Sequence, residues 1–294
     1  MAGLYVKQDG VWKLPRSIWV KSGTWRVCNN VYMKEDGSWR EMIKSVTLST
    51  NQSNFNLYDY VGQPSQPISL VFTIDSDVII SSSGPTLSNW CPYYCAPLRV
   101  NLPTRPTAFT VGNFPDGSTV IINNNGYISG GGGYGGAGGH SFSKGANYYS
   151  DSNAYASRGG NGGHGLVKGS SNSYDCTLVN TGTIAGGGGG GGGASRKYQP
   201  AEGYGSGGYR AGGHGGDGAG ITGYSRTQGG TSSTNQNDYD KGVDGGQGGA
   251  LGENGKKGEG QYANLNGAGG TAGKAIVGQG ITIAVSGNID GVIG

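Results

Sequence analysis

The sequence predicts a mostly β and irregular chain. It begins with a β-hairpin repeat module over residues 1–44 and continues through a small all-β connector over 45–125. It ends in a bundle of packed polyglycine II helices with distal loops over 126–294. Three observations carry this division. Three related segments near the start each read strand, glycine turn, strand. The middle holds β-branched, alternating runs separated by prolines. Beyond residue 126 glycine tracts dominate, and glycine makes up 64 of the 294 residues.

The three opening segments run from Leu4 to Lys13, from Ile18 to Arg26 and from Val31 to Arg40. Trp12, Trp25 and Trp39 recur in them at near-equal spacing, with Tyr5, Trp19 and Tyr32 alongside. Hairpins this short cannot bury their own aromatic faces, so they pack on one another or on a partner. Threefold repetition within one chain suits either a pseudo-threefold cap on a trimeric partner or a self-contained β-prism core. The segment through Lys44 is basic, which fits an acidic docking surface or a solvated rim.

In the middle, the stretches from Ser45 to Thr50, Ile68 to Asp75, Val78 to Ile80 and Val120 to Ile122 are strand-like. Prolines 64, 67, 85, 92, 97, 103, 106 and 115 confine the intervening residues to loops or edges. Both a sandwich and a few rungs of β-helix fit this pattern. The last strands are expected to lead directly into the first glycine helix.

The glycine tracts span residues 130–139, 159–165, 186–193, 205–220, 242–260 and 267–273. Their composition alone would also fit a flexible linker. Against that, Gly246, Gly249, Gly252, Gly255 and Gly258 fall on a three-residue step, the period of the polyproline II conformation. Collagen is excluded, because Pro200 is the only proline after residue 126. Apolar residues also punctuate the tracts at Ile128, Leu166, Val167, Ile184, Ile221 and Ala275 to Val277. The chain then closes with the apolar run from Gly280 to Gly287. Such helices have no internal hydrogen bonds, so their backbone groups must pair with adjacent helices. Glycine permits the close approach this requires.

Several function classes fall away. The net charge of +3 marks neither DNA nor an anionic surface as a partner. No apolar run reaches the roughly 20 residues needed to cross a bilayer. The start has no apolar signal core, so export through a conventional secretory signal is not expected. No GxSxG, P-loop or HExxH motif is present, and isolated acids such as Asp151, Glu202 and Asp238 cannot be paired as in glycoside hydrolases. No enzymatic activity, no cofactor and no metal site are expected. Cys28, Cys91, Cys95 and Cys176 read as reduced or incidental thiols. His140, His164 and His214 each follow two glycines, and each imidazole is expected to donate to a backbone carbonyl at a helix end.

The inserts between tracts, at 141–158, 195–204, 221–241 and 254–266, have the composition of adaptable recognition loops. Their candidate contacts are Phe142, Tyr148, Tyr149, Tyr155, Arg158, Arg196, Lys197, Tyr198, Tyr204, Tyr224, Arg226, Tyr239 and Tyr262. The same tyrosines would alternatively pack along the bundle and cover bare glycine faces.

The second half resembles the receptor-recognising adhesins at the tips of T-even-type bacteriophage long tail fibres and related tailed-phage tip proteins. The resemblance lies in the stretch from Ile121 to Gly130, in Asn180 to Ala185 with the glycines that follow, and in Ala272 to Val277 with Ala284 to Gly287. It implies a virion protein made in the host bacterial cytoplasm, with a polyglycine II sandwich whose distal loops bind an outer-membrane protein or surface glycan of the host. Attachment to a trimeric fibre or tail-tip protein would then fall to Tyr5, Trp12, Trp19, Trp25, Tyr32 and Trp39, although this segment departs in detail from the family's tryptophan-bearing region. No nucleic-acid partner is implied. A structural tip or cap protein and an ice-binding-like polyglycine protein are the other readings. Inserts gathered at one end favour an adhesin, and a flat regular face favours ice or crystal binding.

Overall fold

The computed structural model describes, with side chains, residues 43–83, 105–136, 138, 156–169, 173–194, 218–220, 245–259 and 266–294. It also describes the backbone of strands at 6–8, 11–13, 18–22, 24–28, 30–35, 38–42, 140–141, 210–211, 221–222 and 225–227. Strand β1 (Val6–Gln8) pairs antiparallel with β2 (Val11–Lys13), β3 (Ile18–Ser22) with β4 (Thr24–Cys28), and β5 (Asn30–Glu35) with β6 (Ser38–Leu48).

From β6 onward the chain winds as a three-sided parallel β-helix. The first coil is β6, β7 (Gln52–Ser53) and β8 (Phe55–Asn56), followed by the one-turn helix α1 (Leu57–Tyr60). The second is β9 (Ser69–Ile74), β10 (Ile79–Ser81) and β11 (Phe109–Thr110). The third begins with β12 (Thr119–Asn124) and β13 (Tyr127–Ser129), and after β14 (His140–Ser141) it closes with β15 (Leu166–Val167). The fourth begins with β16 (Asp175–Asn180) and β17 (Thr183–Ala185), passes β18 (Arg210–Ala211), β19 (Gly220–Thr222) and β20 (Ser225–Thr227), and closes with β21 (Ile276–Val277). The last is β22 (Ile281–Val285) and β23 (Asn288–Asp290), with a bridge from Ile293 to Ile276. Like-placed strands stack in three parallel ladders: β6-β9-β12-β16-β22, β7-β10-β13-β17-β23 and β8-β11-β15-β21.

Of the two arrangements open for the middle of the chain, the β-helix is the one found. Its strands lie on both sides of residue 126. Inward residues repeat from coil to coil, as period-two alternation requires of a strand with one buried face. Phe72, Ile122 and Leu178 form one column, Ile80, Ile128 and Ile184 a second, and Phe55, Phe109, Leu166 and Ile276 a third, all buried. The rings of Phe55 and Phe109 stack with centroids 5.4 Å apart. Each such side chain contributes roughly 1.5–3 kcal/mol by leaving water. The apolar residues that punctuate the glycine tracts at 166–167, 184 and 276–277 are therefore strands of this same core.

The glycine tracts are excursions from one corner of the β-helix. Each leaves after a strand of the second ladder and returns into a strand of the third. The ladder bonding carries on into them: the Gly130 N–H donates to the Ala185 carbonyl, and on the return the Gly165 N–H donates to Lys274.

Among the described segments, 186–194 is bonded to the largest number of others. The N–H groups of Gly187, Gly190 and Gly193 donate to Gly163, Gly160 and Ser157. Those of Gly189 and Gly192 donate to Glu253 and Lys256, and that of Gly188 to Ala219. Its carbonyls are met as regularly. Gly188 and Gly191 accept from Gly133 and Gly136, Gly189 and Gly192 from Gly249 and Gly246, and Gly190 and Gly193 from Gly270 and Gly267. Five of these neighbours recur every third residue and Ala219 is met once, so three donor directions and three acceptor directions point to six different described segments. No direction is left for a side chain. A Cβ on Gly189 would meet the Gly270 carbonyl, and one on Gly190 that of Tyr134.

Segments farther out have fewer neighbours and carry side chains accordingly. In 156–165 the outward residues are Arg158, Asn161 and His164; in 266–275 they are Ala268, Thr271 and Lys274. At the rim, in 253–259, Gly255 and Gly258 face inward while Glu253, Asn254, Lys256 and Lys257 are exposed. This gives a sharp contrast for mutation. Gly189→Val should destabilise the full-length chain by on the order of 3 kcal/mol or more, whereas Ala268→Val should stay within about 0.5 kcal/mol. Chemical denaturation of the two variants checks it, and equal losses would contradict the packing.

Candidate functional site

Several of the described glycine segments reach an end of the array remote from the β-helix. The distal half of the 186–194 segment is bonded to Gly136, Ser157, Gly246, Lys256 and Gly267, and Gly258 bonds to Gly267 beside it. Those residues sit at or near the described flanks of 142–155, 195–217, 228–244 and 260–265. The bonding thus brings at least one described flank of each of four inserts to one end of the array.

Among the candidate contacts, Arg158 is placed there. Its side chain is exposed, and Nη2 donates to Asn161 Oδ1 at 3.4 Å. Arg226 lies in β20, with Ile221 of β19 as its register partner. Phe142, Tyr148, Tyr149, Tyr155, Arg196, Lys197, Tyr198, Tyr204, Tyr224, Tyr239 and Tyr262 lie outside the described residues. The 254–266 insert is shorter than the sequence suggests, because 254–259 belongs to a hydrogen-bonded segment. Described charges on the outside of the array are Arg158, Lys256, Lys257 and Lys274 against Glu253 and Glu259.

In the N-terminal hairpins, the register sets Trp12 opposite Lys7, Trp25 opposite Lys21 and Trp39 opposite Lys34. Trp19 lies opposite Val27 and Tyr32 opposite Glu41, while Tyr5 is outside the described residues. A lysine–tryptophan pairing therefore recurs in each of the three hairpins.

Other contacts escaped sequence reasoning. Arg105 holds the first excursion to the β-helix: Nε donates to the Gly132 carbonyl at 3.0 Å, and the guanidinium carbon lies 3.9 Å from the Tyr134 ring centroid. Ser82 accepts the Gly131 N–H beside it. Asn161 and Asn254 accept backbone N–H groups of a neighbouring segment, from Thr271 and Ala272. The signal for Asn161 is its third position in a Gly-Gly-X triplet, which marks an outward side chain. The histidine expectation needs correction at His164. Its Nδ1 accepts the Lys274 N–H at 2.9 Å instead of donating to a carbonyl, because that N–H points out of the array and has no other segment to meet.

A buried cluster supports the corner opposite the excursions. Lys168 Nζ donates to the carbonyls of Tyr174 and Gly280 at 3.1 and 3.3 Å and sits 4.4 Å from the Tyr174 ring centroid. Burial, then the neighbouring Cys176, pushes the Tyr174 phenol above its ordinary range, and its O–H donates to the Gly112 carbonyl at 2.8 Å. Burial pushes the Cys176 thiol up to about 12, with nearby Lys168 opposing. This thiol is free and buried, with no feature of a reactive cysteine. Among the described residues no group of His, Cys, Asp and Glu is arranged to hold a metal, and no helix is long and apolar enough to cross a membrane.

The family model of the phage tail fibre adhesin Gp38 matches residues 43–294. The chain belongs to that family. The matched span starts within β6 and takes in the whole β-helix and the glycine array, leaving the first hairpins outside it. The crystal structure of the gp37-gp38 adhesin tip complex of the bacteriophage S16 long tail fiber is similar at 21% identity with a TM-score of 0.47, covering 86% of this chain and 83% of that one. No curated protein matches. This adhesin is thus a component of a bacteriophage tail fibre, and its role is adhesion, not catalysis.

Two outcomes follow for the adhesin's framework. Arg105→Ala should cost about 0.5–2 kcal/mol in denaturation, the worth of a partly desolvated cation–π contact. Cys176 should resist iodoacetamide at pH 8 in the native protein and react only when denaturant unfolds it, as followed by mass spectrometry.

Proposed function

We propose that this adhesin forms the receptor-binding tip of a tail fibre and grips a host surface receptor, an outer-membrane protein, through the inserts at the remote end of its glycine array. The convergence of the insert flanks at that end carries the reading. Loops rich in tyrosine offer large, amphipathic contact area with few rotors to immobilise. Of the candidate contacts, Arg158 stands at the base of this surface. The glycine segments act as polyglycine II helices, and the three-residue recurrence of their hydrogen bonds supports that reading. Their rigidity limits the entropy lost when the loops meet a receptor.

Attachment is assigned to residues 1–44. Three hairpins with equivalent lysine–tryptophan pairs suit a trimeric carrier, since one chain can then repeat its contact around a threefold axis. In this proposal the adhesin is made in the host bacterial cytoplasm and joins the virion there.

The test uses the full-length chain, because the β-helix draws strands from both sides of residue 126. Labelled adhesin should bind host cells saturably, and protease shaving of the cells should abolish binding. Binding that survives shaving would overturn the outer-membrane protein as receptor in favour of a glycan. Absence of binding to any infected host would favour a structural cap at the tip.

A further inference from the structure

Three side chains on the outside of the glycine array make the same kind of bond. Asn161 Oδ1 accepts the Thr271 N–H at 3.0 Å, Asn254 Oδ1 accepts the Ala272 N–H at 2.8 Å, and His164 Nδ1 accepts the Lys274 N–H at 2.9 Å. Each takes an outward N–H of the 266–275 segment that no other segment reaches. Two of these acceptors are amides, whose hydrogen bonding does not change with pH. The third is an imidazole, which accepts at Nδ1 only while that nitrogen is unprotonated.

We propose that His164 is an acid-sensitive latch between the two returning arms of the array. At neutral pH it ties the 156–165 segment to the 266–275 segment just before both enter the β-helix at β15 and β21. Protonation converts Nδ1 from acceptor to donor, and the Lys274 N–H is released. The arms then lose this side-chain tie, while the backbone bonds from Gly162 to Thr271 and from Gly165 to Lys274 stay in place.

The surroundings favour the neutral ring. The 266–275 segment contributes the Lys274 ammonium. The strand lead packed on the other side contributes Arg105, whose neighbour Ala108 donates its N–H to the His164 carbonyl. The 186–194 segment behind contributes no charge, and the 130–136 segment contributes only Tyr134. Both charged groups are cations, and no described residue of these elements is a carboxylate. Burial first, and Lys274 second, hold the imidazole below its usual 6.5. A base whose folded value is lowered binds its proton first in the unfolded chain. The latch therefore contributes fully above pH 6.5 and is lost as the pH falls through the folded value.

Amide hydrogen exchange of the full-length protein tests this, with each rate divided by the intrinsic rate at that pH. Between pH 7.5 and an acid pH at which the His164 ring itself titrates, followed by NMR, the protection of Lys274 should fall roughly two- to tenfold, the worth of one net hydrogen bond, while Thr271 and Ala272 hold theirs. His164→Asn installs the acceptor used at the other two positions and should keep Lys274 protected at both pH values. Equal protection of Lys274 in the natural protein at both pH values would overturn the latch. So would an unchanged acid loss in His164→Asn. The comparison within the natural protein stands whether or not a variant folds.

Discussion

An extended glycine segment makes no hydrogen bonds with itself, so every N–H and C=O it carries must be answered by a neighbour or by water. The 186–194 segment answers this by being surrounded, with three sets of donors and three sets of acceptors pointing at six segments. The glycine run follows directly, since each residue from Gly186 to Gly192 faces another backbone at a distance that excludes a Cβ. Farther out, the fraction of glycine falls with the number of neighbours: five residues in ten along 156–165, and two in seven along the rim at 253–259. The composition of each segment thus records its place in the array.

Such an array is costly to order, because glycine loses more conformational freedom than any other residue. The β-helix offsets part of that cost. Its columns of Phe, Ile and Leu supply an apolar core, and its second and third ladders set the starting register of each excursion. Gly130 begins with the bond that β13 would have made next, and Gly165 ends with the bond that leads into β15. Arg105 and Ser82 then fasten the first excursion to the coil beneath it. Two modes of stabilisation, oily burial and backbone pairing, are joined at one corner.

The glycine period was readable from the three-residue step of Gly246, Gly249, Gly252, Gly255 and Gly258. The strand character of β9, β10 and β12 was equally plain from alternation. The interleaving was not. Strands as short as Leu166–Val167 and Ile276–Val277 have too few residues to show a period, and their partners lie far away in sequence. Their apolar residues look like punctuation between tracts until the ladders are seen. The hydrogen-bonding sense of His164 was hidden for a related reason: the orphan N–H belongs to Lys274, and only the packing shows that no segment covers it. Arg158 could be nominated from composition. The Arg105–Tyr134 contact could not, because nothing local relates those two positions.

The claim on which the rest depends is that the central glycine run is enclosed by paired backbone and not bathed in water. Native-state exchange of the amides of Gly187, Gly188, Gly189, Gly190, Gly192 and Gly193 measures it directly. Enclosure predicts protection comparable to that of Ile122 and Leu178 in the β-helix core, with all six glycines exchanging together. Exchange of these amides at the rate of an unstructured glycine chain, while the core strands stay protected, would contradict it.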